Sequence, residues 1–417
     1  MRRLAALLAL VLLACAPACS RRERLNPLDG ANPESGGAPA GFNAIADFVS
    51  VRLVWQARPD LPIDGFRLYR LAPFDSVYRP LGTVFPRGSS TFFDGGTLDG
   101  AEFRYRLYYV VHGEQSARFA EDAAVPGRIR AWVGDAAGGR LLRLAPDARD
   151  ILSARTGYGA PFSVAVTPDF GPVWVADQFA GTVRIVDPSD FTSRVLQGLG
   201  SPFTMALDPF DGSAWISDVS GKIHHYLSSG VPGAGNPIDL LEGPRGVATN
   251  ANDGVLWVAE TQGSRIRRYA RDGTPLGARA IGLPSRVAVD STNGQGWVTS
   301  FDTGWLWRLS PSLVVLDSLR LSGPIGIALD WRRRIAWVAE APAGRLVAID
   351  MDTRAVRFRI GPLAGPVDAA VDLERGEVWV VLRDGGRVSR YSTTGVLLGT
   401  VGGLGEPYEV RLDRGFR

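Results

Sequence analysis

The sequence predicts an all-β protein of two bodies: a small β-sandwich followed by a closed ring of repeated four-stranded sheets. Three observations carry this. Fifty Gly and 28 Pro in 417 residues demand a chain that turns often. Residues 42–125 show no helical period and several strictly alternating stretches. From residue 132 onward Trp and Pro recur every 40–42 residues, the mark of an array of equivalent units.

Composition narrows the function classes. At 45% hydrophobic and 21% charged residues, the chain is neither wholly disordered nor collagen-like. The net charge is +3, and only Lys222 among the 46 basic residues is a lysine. Setting aside Arg2 and Arg3, which fall in a leader, leaves +1, so no nucleic-acid partner is expected.

Residues 1–14 read as a signal peptide. Arg2 and Arg3 precede an 11-residue apolar stretch, residues 4–14, which is too short to span a bilayer as a helix. It runs into Leu12-Leu13-Ala14-Cys15, which resembles the lipobox of bacterial lipoproteins. The resemblance implies acylation of Cys15, with Cys19 as the alternative, and a lipid-anchored address in the bacterial cell envelope, at the outer membrane. Several acyl chains anchor durably where one does not. Both cysteines lie here, so the domains beyond contain no disulfide and no cysteine metal site. Residues 15–40 lack hydrophobic period and are rich in breakers, which predicts a tether.

Residues 41–127 form the first domain. Val51-Arg52-Leu53-Val54-Trp55 and Phe66-Arg67-Leu68-Tyr69-Arg70 alternate, and Tyr105-Arg106-Leu107-Tyr108-Tyr109-Val110-Val111 is long and aromatic. These stretches resemble the fibronectin type III family, with Trp55 in the core and Tyr105 at the tyrosine-corner position. Both residues are expected in the core rather than in a binding site.

Residues 128–417 are the array. Tryptophans fall at 132, 174, 215, 257, 297, 337 and 379, and prolines at 161, 202, 244, 284, 324, 366 and 407. Each Pro from 161 to 366 precedes a Trp by 13 residues. A unit reads as a Pro-led strand ending in Asp, a turn, a Trp strand, a Gly turn, then two further strands, as in Pro284-Ser285-Arg286-Val287-Ala288-Val289-Asp290 with Trp297-Val298-Thr299-Ser300. Four short strands at this period match a β-propeller blade, and the pattern resembles the NHL-repeat family. The ends supply the count. Pro407 leads a strand with no Trp after it, while Trp132 lacks a Pro-led strand before it. Pairing the C-terminal strand beside Trp132 closes seven blades and removes an open edge.

Candidate chemistry is sparse. The Trp strands end in Asp135, Asp177, Asp218, Glu260, Ser300, Glu340 and Leu382. Holding the adjacent turn explains these acids locally, and a carboxylate-bound calcium ion is the alternative. Propeller lactonases and lyases of similar fold hold a channel metal, but His224 and His225 alternate on a strand and cannot chelate one ion together. No nucleophile elbow, phosphate loop or nucleophilic cysteine is present, so no cofactor and no catalytic residue are expected. What varies between units is the pair of residues after each Pro. Phe162, Phe203, Arg245, Arg286, Asp368, Tyr408 and Glu409 are therefore the candidate ligand contacts, together with Trp305, which stands where other third strands begin with a polar residue. The function these features predict is non-enzymatic binding of a protein, peptide or glycan. A metal-dependent propeller lactonase or lyase and a purely structural or adhesive module are the alternatives.

Overall fold

The computed structural model describes residues 25–167, 169 and 171–414. The leader, Cys15 and Cys19 lie outside them. The chain divides into two compact units, one built from residues up to 44, 52–94 and 102–124, the other from 45–51, 95–101 and 125 onward.

In the sandwich region, strands Asn43–Asp47, Ser50–Val54 and Thr91–Asp94 form one sheet. Arg79–Pro86, Gly65–Leu71, Phe103–Val111 and Glu114–Gln115 form the other, with Ala120–Ala124 also on Phe103–Val111. Alternation decides the faces: Phe66, Leu68, Phe103, Tyr105, Leu107 and Tyr109 are all buried. Trp55 sits among them, 5.7 Å from Phe66 ring to ring. The hydroxyl of Tyr105 donates to the Asp94 carboxylate at 2.9 Å, whereas a tyrosine corner would direct it to backbone.

The expected tether is partly folded. Asn26, Asp29, Asn32 and Ser35 recur every third residue, and each side-chain oxygen accepts from a backbone N–H two residues on. The resulting turns are held to the first unit by Arg58, which donates to the Glu34 carbonyl, and Arg118, which donates to that of Gly30. Breaker-rich composition predicts a spacer, but a chain of Asx turns satisfies its own backbone and can pack.

Beyond residue 125 the described strands form seven antiparallel sheets. The first joins Ile129–Asp135, Arg140–Leu144 and Ile151–Thr156 to the C-terminal Pro407–Arg414, which lies beside Ile129–Asp135 with Val410 opposite Val133. Five others contain four consecutive strands. The third has three, Pro202–Leu207, Ala214–Asp218 and Lys222–Tyr226, where the sequence pattern predicts four. Its fourth strand is replaced by a Pro- and Gly-rich stretch, and only single bridges such as Ile223 to Ile238 remain. Pro232 and Pro237 lack the N–H that a ladder needs.

The seven repeat tryptophans are buried, and each packs against its own sheet's neighbour. Trp132 meets Val164, Val173 and Val175 of the second sheet, Trp174 meets Met205 and Ile216 of the third, and Trp337 meets Val378 and Val380 of the seventh. Trp379 of the seventh sheet packs with Val133, Leu142 and Val410 of the first. Indoles therefore join the last sheet to the first as they join the others.

The innermost strands approach closely. A Cβ on Gly246 would lie 2.7 Å from the Arg286 Cα, and one on Gly326 would lie 2.5 Å from the Asp368 Cα. Glycine is required at both places by space alone.

Candidate functional site

The Pro-led strands carry a repeated irregularity that fixes the site. Pro161 pairs with Asp177 and Ser163 with Ala176, leaving Phe162 as an extra residue. The same shift leaves Arg245 between Pro244 and Gly246, Val367 between Pro366 and Asp368, and Tyr408 between Pro407 and Glu409. A bulge re-aims the side chain at the extra position. In the units led by Pro161, Pro202, Pro244 and Pro407 it separates the two residues after the Pro, whereas Val367 and Asp368 are both buried and Ser285 and Arg286 are both half-buried. The first is exposed or half-buried in Phe162, Phe203, Arg245 and Tyr408, while the second is buried in Ser163, Thr204, Gly246, Asp368 and Glu409.

The first residues Phe162, Phe203, Arg245 and Tyr408 meet in a patch completed by Arg383 and by Arg286, a second residue that also pairs with Glu409 below. The Phe162 and Tyr408 rings are 4.2 Å apart, and Phe162 lies 6.3 Å from Phe203. Arg245 and Arg286 stand 5.7 and 5.5 Å from the Phe203 ring, and Arg383 stands 5.7 Å from that of Tyr408. Arg383 begins the turn after the seventh sheet's Trp strand, a contact the repeat pattern alone did not single out. Phe179 occupies the corresponding turn of the second sheet and is 88% exposed. The signal for Phe179 was present in the sequence, as an aromatic residue in a turn that carries another only at Phe301.

Beneath this patch the second residues form a closed charge network. Glu409 is fully buried and receives Arg286 at 3.4 Å, Arg411, and the backbone N–H of Val164 at 2.9 Å. Asp368 receives Arg411 at 2.8 Å and the N–H of Val410 at 3.1 Å. Burial pushes the Asp368 carboxyl above its ordinary range against the pull of Arg411. Burial also opposes the Arg411 charge, but Glu409 and Asp368 together hold that guanidinium above its usual value. Two carboxylates and two guanidinium groups thus balance one another around a cavity of about 30 Å³. The Arg411 side chain is half-buried and lines that cavity. Asp368 and Glu409 were expected as ligand contacts alongside the others. The structure commits both to holding the ring's centre, because the bulge turns them inward.

Trp305 stands apart from this cluster. Its ring partners are Trp307 at 5.5 Å and the Arg320 guanidinium at 5.1 Å, both in its own sheet.

The acids ending the Trp strands serve the backbone, except Glu260, which pairs with Arg265 and Arg267. Asp177 accepts from the N–H groups of Gly159, Ala160 and Ala180 at 2.6–3.1 Å, so it holds both its turn and the approach to Pro161. Asp135 does the same for Gly405 and Glu406, and Asp218 for Gly200 and Ser201. Burial raises the Asp218 carboxyl, but hydrogen bonds from His224, the Ser220 hydroxyl and backbone amides outweigh it and hold the group below its ordinary range. His224 points to Asp218 at 3.1 Å, while His225 stacks on Trp215 at 3.9 Å, so the two imidazoles face opposite sides of the strand. Among the described residues, no group of three or more His, Cys, Asp or Glu side chains is placed to hold a metal ion.

No protein-family model matches the chain, and no curated protein matches it. Solved structures do. Selenomethionine-substituted virginiamycin B lyase from Staphylococcus aureus aligns with a TM-score of 0.51 at 18% identity, covering 61% of this chain and 94% of that one. A functionally unknown protein from Desulfotomaculum acetoxidans aligns with a TM-score of 0.58 at 16% identity, covering 69% and 99%. At these identities the likeness is one of fold: the repeated antiparallel sheets are β-propeller-like.

Proposed function

We propose that this chain is a lipid-anchored binding protein of the bacterial cell envelope, with a fibronectin type III-like domain and a seven-bladed, NHL-like propeller that takes a protein, peptide or glycan at its Pro-led face. The lipobox at Cys15 supports the address, and the seven sheets with cyclic tryptophan packing support the blade count. The observation that carries the binding reading is the bulge. It sets Phe162, Phe203, Arg245 and Tyr408 outward and together, while the charges below them are already paired. Aromatic and Arg side chains dominate interface energies, and a filled platform over a cavity of about 30 Å³ suits a partner that contacts it over an area. The exposed Phe179 lies at the same end of its sheet and extends that face.

The test is a peptide and glycan array probed with the purified protein, followed by affinity and melting temperature for Arg245→Ala and Tyr408→Ala. Lost affinity in folded variants supports the site; full affinity in both contradicts it.

A further inference from the structure

The fifth and sixth sheets enclose a groove with a charge excess. It measures about 470 Å³ and is bordered by the turn holding Phe301, Asp302 and Thr303, and by Arg320, Arg345 and Arg359. Glu340 is its one buried acid, and that carboxylate is already engaged: it accepts from the Ser322 N–H at 2.7 Å and pairs with Arg345 at 3.0 Å. The partners of Arg320 are the Thr303 carbonyl at 2.6 Å and the Trp305 ring. Arg359 is exposed and has no ion pair among the described residues. The exposed Asp302 is the remaining carboxylate, against two guanidinium groups without an acidic partner.

We infer that this groove binds an acidic saccharide, one bearing carboxylate or sulfate groups. Guanidinium is the side-chain group best shaped to take such oxyanions in paired hydrogen bonds. The walls add what a sugar needs: the exposed hydroxyl of Ser322 and the backbone around Gly304 and Gly323 can meet ring hydroxyls. Trp305 lies directly across the strand pair from Arg320, whose guanidinium stands 5.1 Å from its ring, so the indole backs the charge at the groove's edge. In the other units that position holds Thr182, Lys222, Arg265, Arg345, Arg387 or Arg140, so the combination belongs to this groove. An acidic peptide fits less well, because protein partners draw their energy from desolvated apolar pockets and this groove is polar. The volume lies within the range of small-ligand clefts. The groove shares no residue with the Phe162–Tyr408 patch, so the inference goes beyond the proposed function and stands or falls without it.

The experiment is calorimetry of the purified full chain with four probes of matched length: an oligogalacturonate, a chondroitin sulfate oligosaccharide, a neutral malto-oligosaccharide and hexaglutamate. At least one acidic saccharide should bind, weakening as salt rises, with the neutral sugar and the peptide bound at least about tenfold more weakly. Arg359→Ala and Arg320→Ala should each weaken binding about tenfold at unchanged melting temperature, and Trp305→Phe should remove the ligand-dependent tryptophan fluorescence change. Arg245→Ala should have no effect. Failure of both acidic saccharides to bind, equal binding of the neutral sugar or of hexaglutamate, or unchanged affinity in both arginine variants would each overturn the inference. Loss of binding in Arg245→Ala alone would do so too, by moving the site to the aromatic patch.

Discussion

After Pro161, Pro202, Pro244 and Pro407 the next two residues are adjacent in sequence and opposite in role. Phe162, Phe203, Arg245 and Tyr408 face outward in a patch with room for a partner. Thr204 and Glu409, one position on, and Asp368 of the seventh sheet are buried in bonds that link one inner strand to the next. The difference comes from a one-residue bulge rather than from residue type, because a shift of one place moves a side chain to the other face. Variation between repeats therefore means two things. Above, it tailors a surface; below, it assembles a charge network whose members must match.

The comparison breaks most completely if the inner ring is opened. Deleting residues 407–417 removes the strand beside Ile129–Asp135, the buried Glu409 and the packing of Trp379 against Val410. Loss of a single cooperative melt by circular dichroism is expected, far beyond the effect of trimming a free terminus.

Next comes the inner position itself. Glu409→Ala leaves Arg286 and Arg411 without their shared acid and the Val164 N–H without an acceptor. Breaking a buried pair from one side costs about 3–5 kcal/mol, to be read as a lower midpoint in urea.

Acid should weaken the backbone staples. Asp135 and Asp218 are held below their ordinary range in the folded chain. Their stabilisation is therefore complete above the unfolded carboxylate value, about 3.9, and is lost as pH falls through the lower folded values. Melting temperature should hold from pH 7 to about pH 5 and fall below about pH 4. Asp218→Asn should be less stable than the parent at pH 7 and show a shallower acid loss.

The smallest stability change is expected on the outer position. Arg245→Ala and Phe179→Ala alter exposed side chains and should move stability by no more than about 0.5 kcal/mol.

Much of this was legible in the sequence. The Pro and Trp period located the sheets, and the complementary ends predicted the pairing of the last strand with residues 129–135. The turn-holding role of Asp177 and Asp218 followed from their place after the Trp strand. The inward turn of Asp368 and Glu409 was not legible, because a bulge is a relation between two strands and leaves no mark in either one. Residues 26–40 read as a tether because a hydrophobic period cannot register Asx turns at every third residue. The missing fourth strand of the third sheet did have a signal, in Pro232 and Pro237, but it was hidden by the regularity of the neighbouring units.

The central claim is that the bulged residues form a binding surface while the residues beneath them hold the ring. Its most direct measurement pairs affinity with stability for Arg245→Ala, using a partner identified on the array. Affinity should fall by about 2 kcal/mol or more, roughly 30-fold, with no change in melting temperature. Full affinity in Arg245→Ala, repeated in Phe162→Ala and Tyr408→Ala, would contradict the account.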